Sequence, residues 1–120
     1  MNKMILVADD SPTGMTMLLK ALQNNGYETI SAVDGEEAIE KARANQPALA
    51  ILDIVMPKKN GFQVTRQLKT DTETSGIKIL LVSSKNQDSD KFWGFKQGAD
   101  EYLAKPFNDQ TLLDAVKKLL

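Results

Sequence analysis

The sequence predicts an α/β protein whose five parallel strands form one doubly wound sheet with helices on both faces. Two observations lead to this prediction. Short apolar runs recur along the chain, and amphipathic segments with helical spacing separate each run from the next. Strict alternation of strand and helix joins consecutive strands through crossover helices, and such crossovers produce a parallel sheet that is covered on both sides.

The predicted strands are the short apolar runs. Residues 4–8, Met-Ile-Leu-Val-Ala, are apolar without interruption, as expected of a strand that is buried on both faces. The remaining strands are predicted at residues 27–32, 49–53, 79–82 and 101–104.

The helices are predicted from capping and stop signals. Ser11 is expected to cap the first helix, with Pro12 in its first turn. Asn24-Asn25-Gly26 is expected to end that helix, and Asp34 to cap the second. The other three helices are predicted after the turn-rich segment 56–61, at residues 89–97 and at residues 108–120.

The bulk composition narrows the classes of function. At 120 residues the chain is long enough for one domain, and we expect residues 1–120 to form a single domain without an output domain. A net charge of −1 gives no general attraction to nucleic acid or to an anionic membrane. The absence of cysteine and histidine excludes disulfides, histidine-ligated zinc and serine–histidine–aspartate triads. The first apolar run is too short for a signal peptide or a membrane span, so we expect a soluble, cytoplasmic protein.

Polar side chains follow four of the predicted strands at their carboxyl ends. Ligands bind at that edge of a doubly wound sheet, and neighbouring strands are only about 5 Å apart. Carboxylates that gather there repel one another unless a cation offsets their charge, and Mg²⁺ prefers oxygen ligands of this kind. One carboxylate could then act as a nucleophile toward a phosphoryl group, with a lysine and a hydroxyl to contact its oxygens. The residues concerned are Asp9, Asp10, Asp53, Ser83, Ser84 and Lys105.

Each of these residues also has an ordinary structural interpretation when it is taken alone. An aspartate after a strand is usually a helix cap or a turn residue, and Ser83 alone would be a turn hydroxyl. Lys105 alone would be a solvated surface charge, and Tyr102 would be a core aromatic with its hydroxyl at the rim. The functional interpretation depends on all of them meeting in one fold.

The ordered set of motifs resembles the receiver domain of two-component response regulators, which has a flavodoxin-like fold. The matching pieces are Asp9-Asp10, Asp53-Ile54-Val55-Met56-Pro57 with Gly61, Val82-Ser83-Ser84, and the segment from Gly98 to Phe107. The segments DSPT, DIVMPKKNGFQVTRQL and DKFWGFKQGADEYLAKP resemble most closely the single-domain receivers of type IV pilus twitching motility. The resemblance covers essentially the whole chain.

The resemblance implies a phosphorylation site and a metal site. Asp53 would be the phosphoacceptor and would receive its phosphoryl group from a histidine on a partner kinase. Asp9 and Asp10 would hold Mg²⁺, with Asp53 and the backbone carbonyl of Val55 completing the protein ligands. Apolar Val55 lies at a position that tunes self-dephosphorylation in this family, so we expect the phosphoryl group to be lost slowly.

The resemblance also implies a switch and a partner surface. Ser83, where the family more often has threonine, and Lys105 would contact the phosphoryl group, and the Lys105–Pro106 peptide bond would be cis. Tyr102 would turn inward as Ser83 moves toward the phosphoryl oxygens. The surface of helix four, strand five and helix five would change and contact an unknown downstream protein. The implied protein is a monomeric signalling domain rather than an enzyme, without nucleic-acid or membrane binding.

Four features remain open at this stage. Ser11-Pro12-Thr13-Gly14-Met15-Thr16 also fits a flavodoxin-like FMN-binding electron carrier, although two carboxylates before the loop disfavour a bound phosphate. An aspartate-nucleophile phosphatase of the haloacid dehalogenase type would need a second acid at the position of Val55. Gly14 lies inside the first predicted helix, where glycine costs about 1 kcal/mol relative to alanine and has no evident reason. The aromatics Phe92, Trp93 and Phe95 are expected in the core, with one of them left for a partner.

Overall fold

One five-stranded parallel sheet forms the centre of the molecule in the computed structural model, which describes residues 3–85 and 87–120. The strand order is β2-β1-β3-β4-β5, and every pairing is parallel. The predicted doubly wound (βα)5 architecture is therefore confirmed. The strands are β1 (Met4–Ala8), β2 (Glu28–Ala32), β3 (Leu49–Asp53), β4 (Lys78–Ser83) and β5 (Glu101–Ala104).

Five helices connect and cover these strands, and the predicted boundaries agree with the observed ones to within about two residues. Side chains at the predicted positions cap two of them, since Ser11 accepts a hydrogen bond from the Gly14 amide and Asp34 accepts one from the Glu37 amide. The helices are α1 (Pro12–Gln23), α2 (Gly35–Asn45), α3 (Gly61–Thr70), α4 (Asp88–Lys96) and α5 (Asp109–Leu119). None of the helices in the described parts of the chain is long and apolar enough to cross a membrane.

The core lies in two layers, one on each face of the sheet. Strand side chains alternate between these layers, so Leu6 and Leu52 join α2 and α3 on one face while Val7 and Ile51 join α1 and α5 on the other. Because β1, β3 and β4 are covered on both sides, their interior residues are apolar at successive positions, which is why the sequence shows uninterrupted runs there.

Helix α4 departs from the expectation for its aromatic residues. The prediction that they would mostly pack in the core is wrong, since Phe92, Trp93 and Phe95 are 65%, 50% and 46% exposed. The buried residue of α4 is Gly94, and a Cβ atom there would lie 2.9 Å from Cδ1 of Leu81 and 3.3 Å from the Tyr102 ring. The helix thus approaches β4 and β5 through its glycine, which turns its aromatics outward.

Candidate functional site

The sheet topology brings three carboxylates together at the carboxyl ends of β1 and β3. These two strands are neighbours in the sheet, and Asp9 directly follows β1 while Asp53 is the last residue of β3. One carboxylate oxygen from each of Asp9, Asp10 and Asp53 lies within 4.8 Å of the others. Asp9 and Asp53 are buried, at 1% and 8% exposure, whereas Asp10 is exposed. The predicted gathering of these side chains is confirmed.

Lys105 supplies a positive charge to this cluster. Its backbone amide donates to the Ser83 carbonyl over 2.8 Å, which continues the β4–β5 pairing beyond β5 and holds the lysine at the same edge. Its Nζ lies 3.3 Å from Oδ2 of Asp9 and 3.6 Å from Oδ2 of Asp53. The Lys105–Pro106 peptide bond is cis, as the resemblance implies. One ammonium group thus contacts two of the three carboxylates.

The electrostatic environment of Asp53 is unusual for a carboxylate. Burial raises the pKa of the Asp53 carboxyl above its ordinary value, and the negative charge of Asp9 adds to that rise. The positive charge of Lys105 and hydrogen bonds from the backbone of Val55 and Ile54 lower the same pKa without cancelling the rise. Ionised Asp53 is therefore held at a cost in folding free energy, and an additional cation nearby would reduce that cost.

The donor set fits Mg²⁺. Carboxylate oxygens are hard ligands, the cluster carries three of them, and the Lys105 ammonium offsets only part of their negative charge. Asp10 is exposed, so an ion that keeps several of its waters can approach from solvent on that side.

Ser83 and Tyr102 lie on neighbouring strands next to this cluster. Ser83 is fully buried, and its Oγ accepts a hydrogen bond of 3.1 Å from the Lys85 amide. The Tyr102 hydroxyl donates to the Lys85 carbonyl, and the ring is only 8% exposed. Burial raises the pKa of Tyr102, the charge of Asp90 adds to the rise, and a hydrogen bond with Ser83 opposes it. The two predicted switch residues are therefore linked through the backbone of Lys85.

The loop after Asp53 is fixed by a close backbone approach at Gly61. The Gly61 amide donates to the Ile54 carbonyl over 2.9 Å, and a Cβ atom at Gly61 would lie 2.6 Å from the Asp53 carbonyl oxygen. Val55 lies in this loop with 56% of its side chain exposed. The sequence contained Gly61 in a recognisable motif but gave no sign of the close approach that requires it.

The loop before α1 is not organised as a phosphate-binding loop. The Ser11 hydroxyl caps α1, and the Ser11 amide donates to Oδ1 of Asp9 over 2.9 Å. The polar groups of this segment thus serve the helix and a buried carboxylate. The geometry does not favour the FMN-binding alternative.

Neutralising Asp53 is expected to change the pH dependence of stability in metal-free buffer. The folded-state pKa of Asp53 is raised above its ordinary value of 3.8. The contribution of Asp53 to the free energy of unfolding is therefore fully present below pH 3.8 and is lost as the pH rises through the folded-state pKa. Asp53→Asn should therefore be more stable than the wild type at pH 7, and this advantage should shrink toward pH 3.8.

Urea unfolding across this pH range, with EDTA present, measures the effect. Glu40→Gln, which neutralises an exposed carboxylate on α2, is the matched control and should follow the wild-type curve. An Asp53→Asn variant that is less stable than the wild type at pH 7 would contradict the expectation.

Known proteins match this chain over its whole length. Residues 5–117 match the family model of the response regulator receiver domain. The chain is 45% identical over 116 residues to protein PilH of Pseudomonas aeruginosa. This alignment covers 97% of the present chain and 96% of PilH. The chain is 40% identical over 120 residues to the alkaline phosphatase synthesis transcriptional regulatory protein PhoP of Bacillus subtilis, but spans only 49% of that protein.

The similarity extends to solved structures. Chemotaxis protein CheY4 of Vibrio cholerae superposes with a TM-score of 0.94 at 32% identity, over 100% of both chains. A response regulator structure from Chloroflexus aurantiacus gives a TM-score of 0.94 at 34% identity, over 99% of this chain and 98% of that one. These matches include every residue of the candidate site, from Asp9 to Lys105.

Proposed function

Because the chain belongs to the response regulator receiver domain family, we propose that Asp53 is the residue that accepts the phosphoryl group in its two-component phosphorelay. The observation that carries this proposal is the position of Asp53 at the end of β3, beside Asp9 and 3.6 Å from Lys105. The donor would be a histidine on a partner kinase. Receiver domains are signalling proteins, and the chemistry proposed here is limited to phosphorylation of Asp53 and slow loss of that phosphoryl group.

The proposed step is a displacement at phosphorus. An Asp53 carboxylate oxygen attacks the phosphorus, an O–P bond forms, and the P–N bond to the kinase histidine breaks with its electron pair leaving on the imidazole. Lys105 contacts the oxygens of the transferred group with its ammonium, and Ser83 contacts them with its hydroxyl. Burial of Asp53 limits access of water to its carboxylate.

Asp9 and Asp10 would hold Mg²⁺ together with Asp53 and the backbone carbonyl of Val55. When it is bound, Mg²⁺ neutralises negative charge on the carboxylates and on the phosphoryl oxygens. Asp9 is fixed for this role by the Ser11 amide and by Lys105, whereas exposed Asp10 is free to adjust to an ion and its waters.

Phosphorylation would be transmitted through Ser83 and Tyr102. When the Ser83 hydroxyl turns toward phosphoryl oxygens it gives up its bond with the Lys85 amide, and the loop that holds the Tyr102 hydroxyl changes with it. Helix α4 packs on the Tyr102 ring through Gly94, so its exposed aromatics would respond to that change. The surface of α4, β5 and α5 is the proposed contact with a downstream protein.

The biological role we propose is control of type IV pilus twitching or a chemotaxis-like motility. Two observations support it: the motifs shared with twitching-motility receivers, and the match with PilH over nearly the full length of both chains. The net charge of −1 supports a protein target rather than nucleic acid or a membrane. A cytoplasmic monomer would suit a protein that carries a signal between a kinase and its target.

Intact-protein mass spectrometry after incubation with Mg²⁺ and acetyl phosphate tests the proposed chemistry. The wild type is expected to gain the mass of one phosphoryl group, EDTA is expected to prevent the gain, and Asp53→Asn is expected to abolish it. Asp71→Asn, which removes a carboxylate ion-paired with Arg43 on the α2–α3 side, should gain the group normally. A gain that persists in Asp53→Asn would assign the phosphoacceptor elsewhere and overturn the proposal.

Val55 is expected to make loss of the phosphoryl group slow. An exposed apolar side chain beside Asp53 cannot orient an attacking water, so Val55→Asn should shorten the lifetime of phosphorylated protein several-fold. The lifetime is measured by mass spectrometry after removal of the phosphodonor. Val33→Asn, which changes an equally exposed valine after β2, should leave it unaltered. A wild-type lifetime of only seconds would contradict this expectation.

A further inference from the structure

The Asp9 carboxylate lies directly against the first turn of α1, at Gly14. A Cβ atom at position 14 would be 2.6 Å from Oδ2 of Asp9, 3.2 Å from its Cγ and 3.5 Å from Oδ1. All three carboxylate atoms thus face the Gly14 Cα, and Oδ2 occupies part of the volume that a side chain would need. Gly14 and Lys105 also line the same groove.

The Asp9 carboxylate has little freedom to move away from this position. It is fully shielded from solvent, its Oδ1 accepts the Ser11 amide over 2.9 Å, and its Oδ2 lies 3.3 Å from Lys105 Nζ. Rotation or displacement to accommodate a methyl group would lengthen at least one of these contacts. It would also change the position of the carboxylate relative to Asp53, because Lys105 contacts both.

Glycine in a helix is otherwise a poor choice, since alanine is more favourable there and the φ angle of Gly14 does not require glycine. We propose that Gly14 is a positioning residue, whose missing side chain leaves the space for the Asp9 carboxylate and thereby fixes where Asp9 meets Lys105 and Mg²⁺. This inference rests on the proposed function for its magnesium part, but the contact between Gly14 and Asp9 can be tested without metal.

A double-mutant cycle in EDTA measures the contact. Gly14→Ala should fail to stabilise the otherwise unchanged protein, because the methyl group displaces Asp9. In an Asp9→Ala background the carboxylate is absent, so the same substitution should raise the urea midpoint as an ordinary Gly-to-Ala change in a helix does. Thr16→Ala, at an exposed position of α1, is the control and should raise the midpoint equally in both backgrounds.

Calorimetric titration with Mg²⁺ gives the second readout. Gly14→Ala should bind Mg²⁺ about 10-fold more weakly, the size of effect that follows loss of a group supporting a metal ligand. Thr16→Ala should bind as the wild type does, which separates the effect from a general change in α1.

The outcomes separate this inference from the proposed function. Equal stabilisation by Gly14→Ala in both backgrounds, or wild-type Mg²⁺ affinity in Gly14→Ala, would overturn the positioning role and leave the proposed function intact. Wild-type protein that binds no Mg²⁺ would overturn the proposed metal chemistry and the magnesium part of this inference together. Stabilisation by Gly14→Ala only in the Asp9→Ala background, together with weaker Mg²⁺ binding by Gly14→Ala, would establish the role.

Discussion

Replacing Lys105 by alanine is expected to slow phosphorylation by acetyl phosphate by about 10²- to 10³-fold, the cost of removing one preorganised charge from a reacting centre. Lys105 Nζ lies within 3.6 Å of carboxylate oxygens of both Asp9 and Asp53, so under the proposed function its ammonium would lie where charge accumulates on the transferred group. The site is partly shielded from water, which strengthens this contribution relative to a surface charge. Initial rates at saturating Mg²⁺ measure the effect.

Lys118→Ala is the matched control for this loss of charge. Lys118 forms an ion pair of 2.8 Å with Glu101, but its side chain is 71% exposed, and Glu101 begins β5, at the edge of the sheet opposite the acidic cluster. An exposed pair of this kind contributes about 1 kcal/mol or less to stability and nothing to the chemistry. Equal rates for Lys105→Ala and Lys118→Ala would show that position 105 has no part in phosphoryl transfer.

Leu81→Ala is expected to destabilise the protein by about 3 kcal/mol, because it removes a fully buried side chain and leaves a cavity. The cavity would lie between β4, the Tyr102 ring and Gly94, since Leu81 is paired in register with Tyr102 and its Cδ1 faces the glycine. We therefore expect α4 to lose part of its support as well. Urea unfolding measures the stability, and the native-state emission of Trp93, on α4, measures the local change.

Leu80→Ala separates the two effects. Leu80 is equally buried and adjacent on β4, but it belongs to the core layer on the opposite face of the sheet. It should cost a similar amount of stability while leaving the native emission of Trp93 as in the wild type. A matching change of emission in both variants would contradict a specific link between Leu81 and α4.

The strands and the candidate site were predictable because one physical rule governs both. Apolar runs such as residues 49–52 mark strands buried on two sides, and the polar residue that ends each run must lie at the carboxyl edge of a parallel sheet. Once the alternation of strands and helices is recognised, Asp9 and Asp53 are placed at the same edge of the sheet, and the observed order, with β3 next to β1, then brings them together. The resemblance to a family then implied a role for each of these residues at the carboxyl edge of the sheet.

Other features were not predictable because they depend on how closely elements approach one another. Periodicity marks Phe92, Trp93 and Phe95 as apolar, but only the short distance between α4 and β4 shows that a glycine takes the inward position. Gly14 was visible in the sequence as an unexplained cost to the helix, and the explanation needed the distance to a carboxylate five residues earlier. Local sequence cannot report either distance, since both are set by tertiary packing.

The strand order has a further consequence for how the molecule is expected to open. Asp9 follows β1 and Asp53 ends β3, and both strands have a hydrogen-bonded neighbour on each side, whereas Tyr102 lies on β5 at the edge of the sheet. Backbone amides of the inner strands should exchange with solvent deuterium only through global unfolding, and those of β5 through smaller, local openings. The proposed phosphorylation site would thus lie on the strands that open most slowly. Tyr102, which would respond to phosphorylation, lies on β5, a strand that can open locally while the rest of the molecule stays folded.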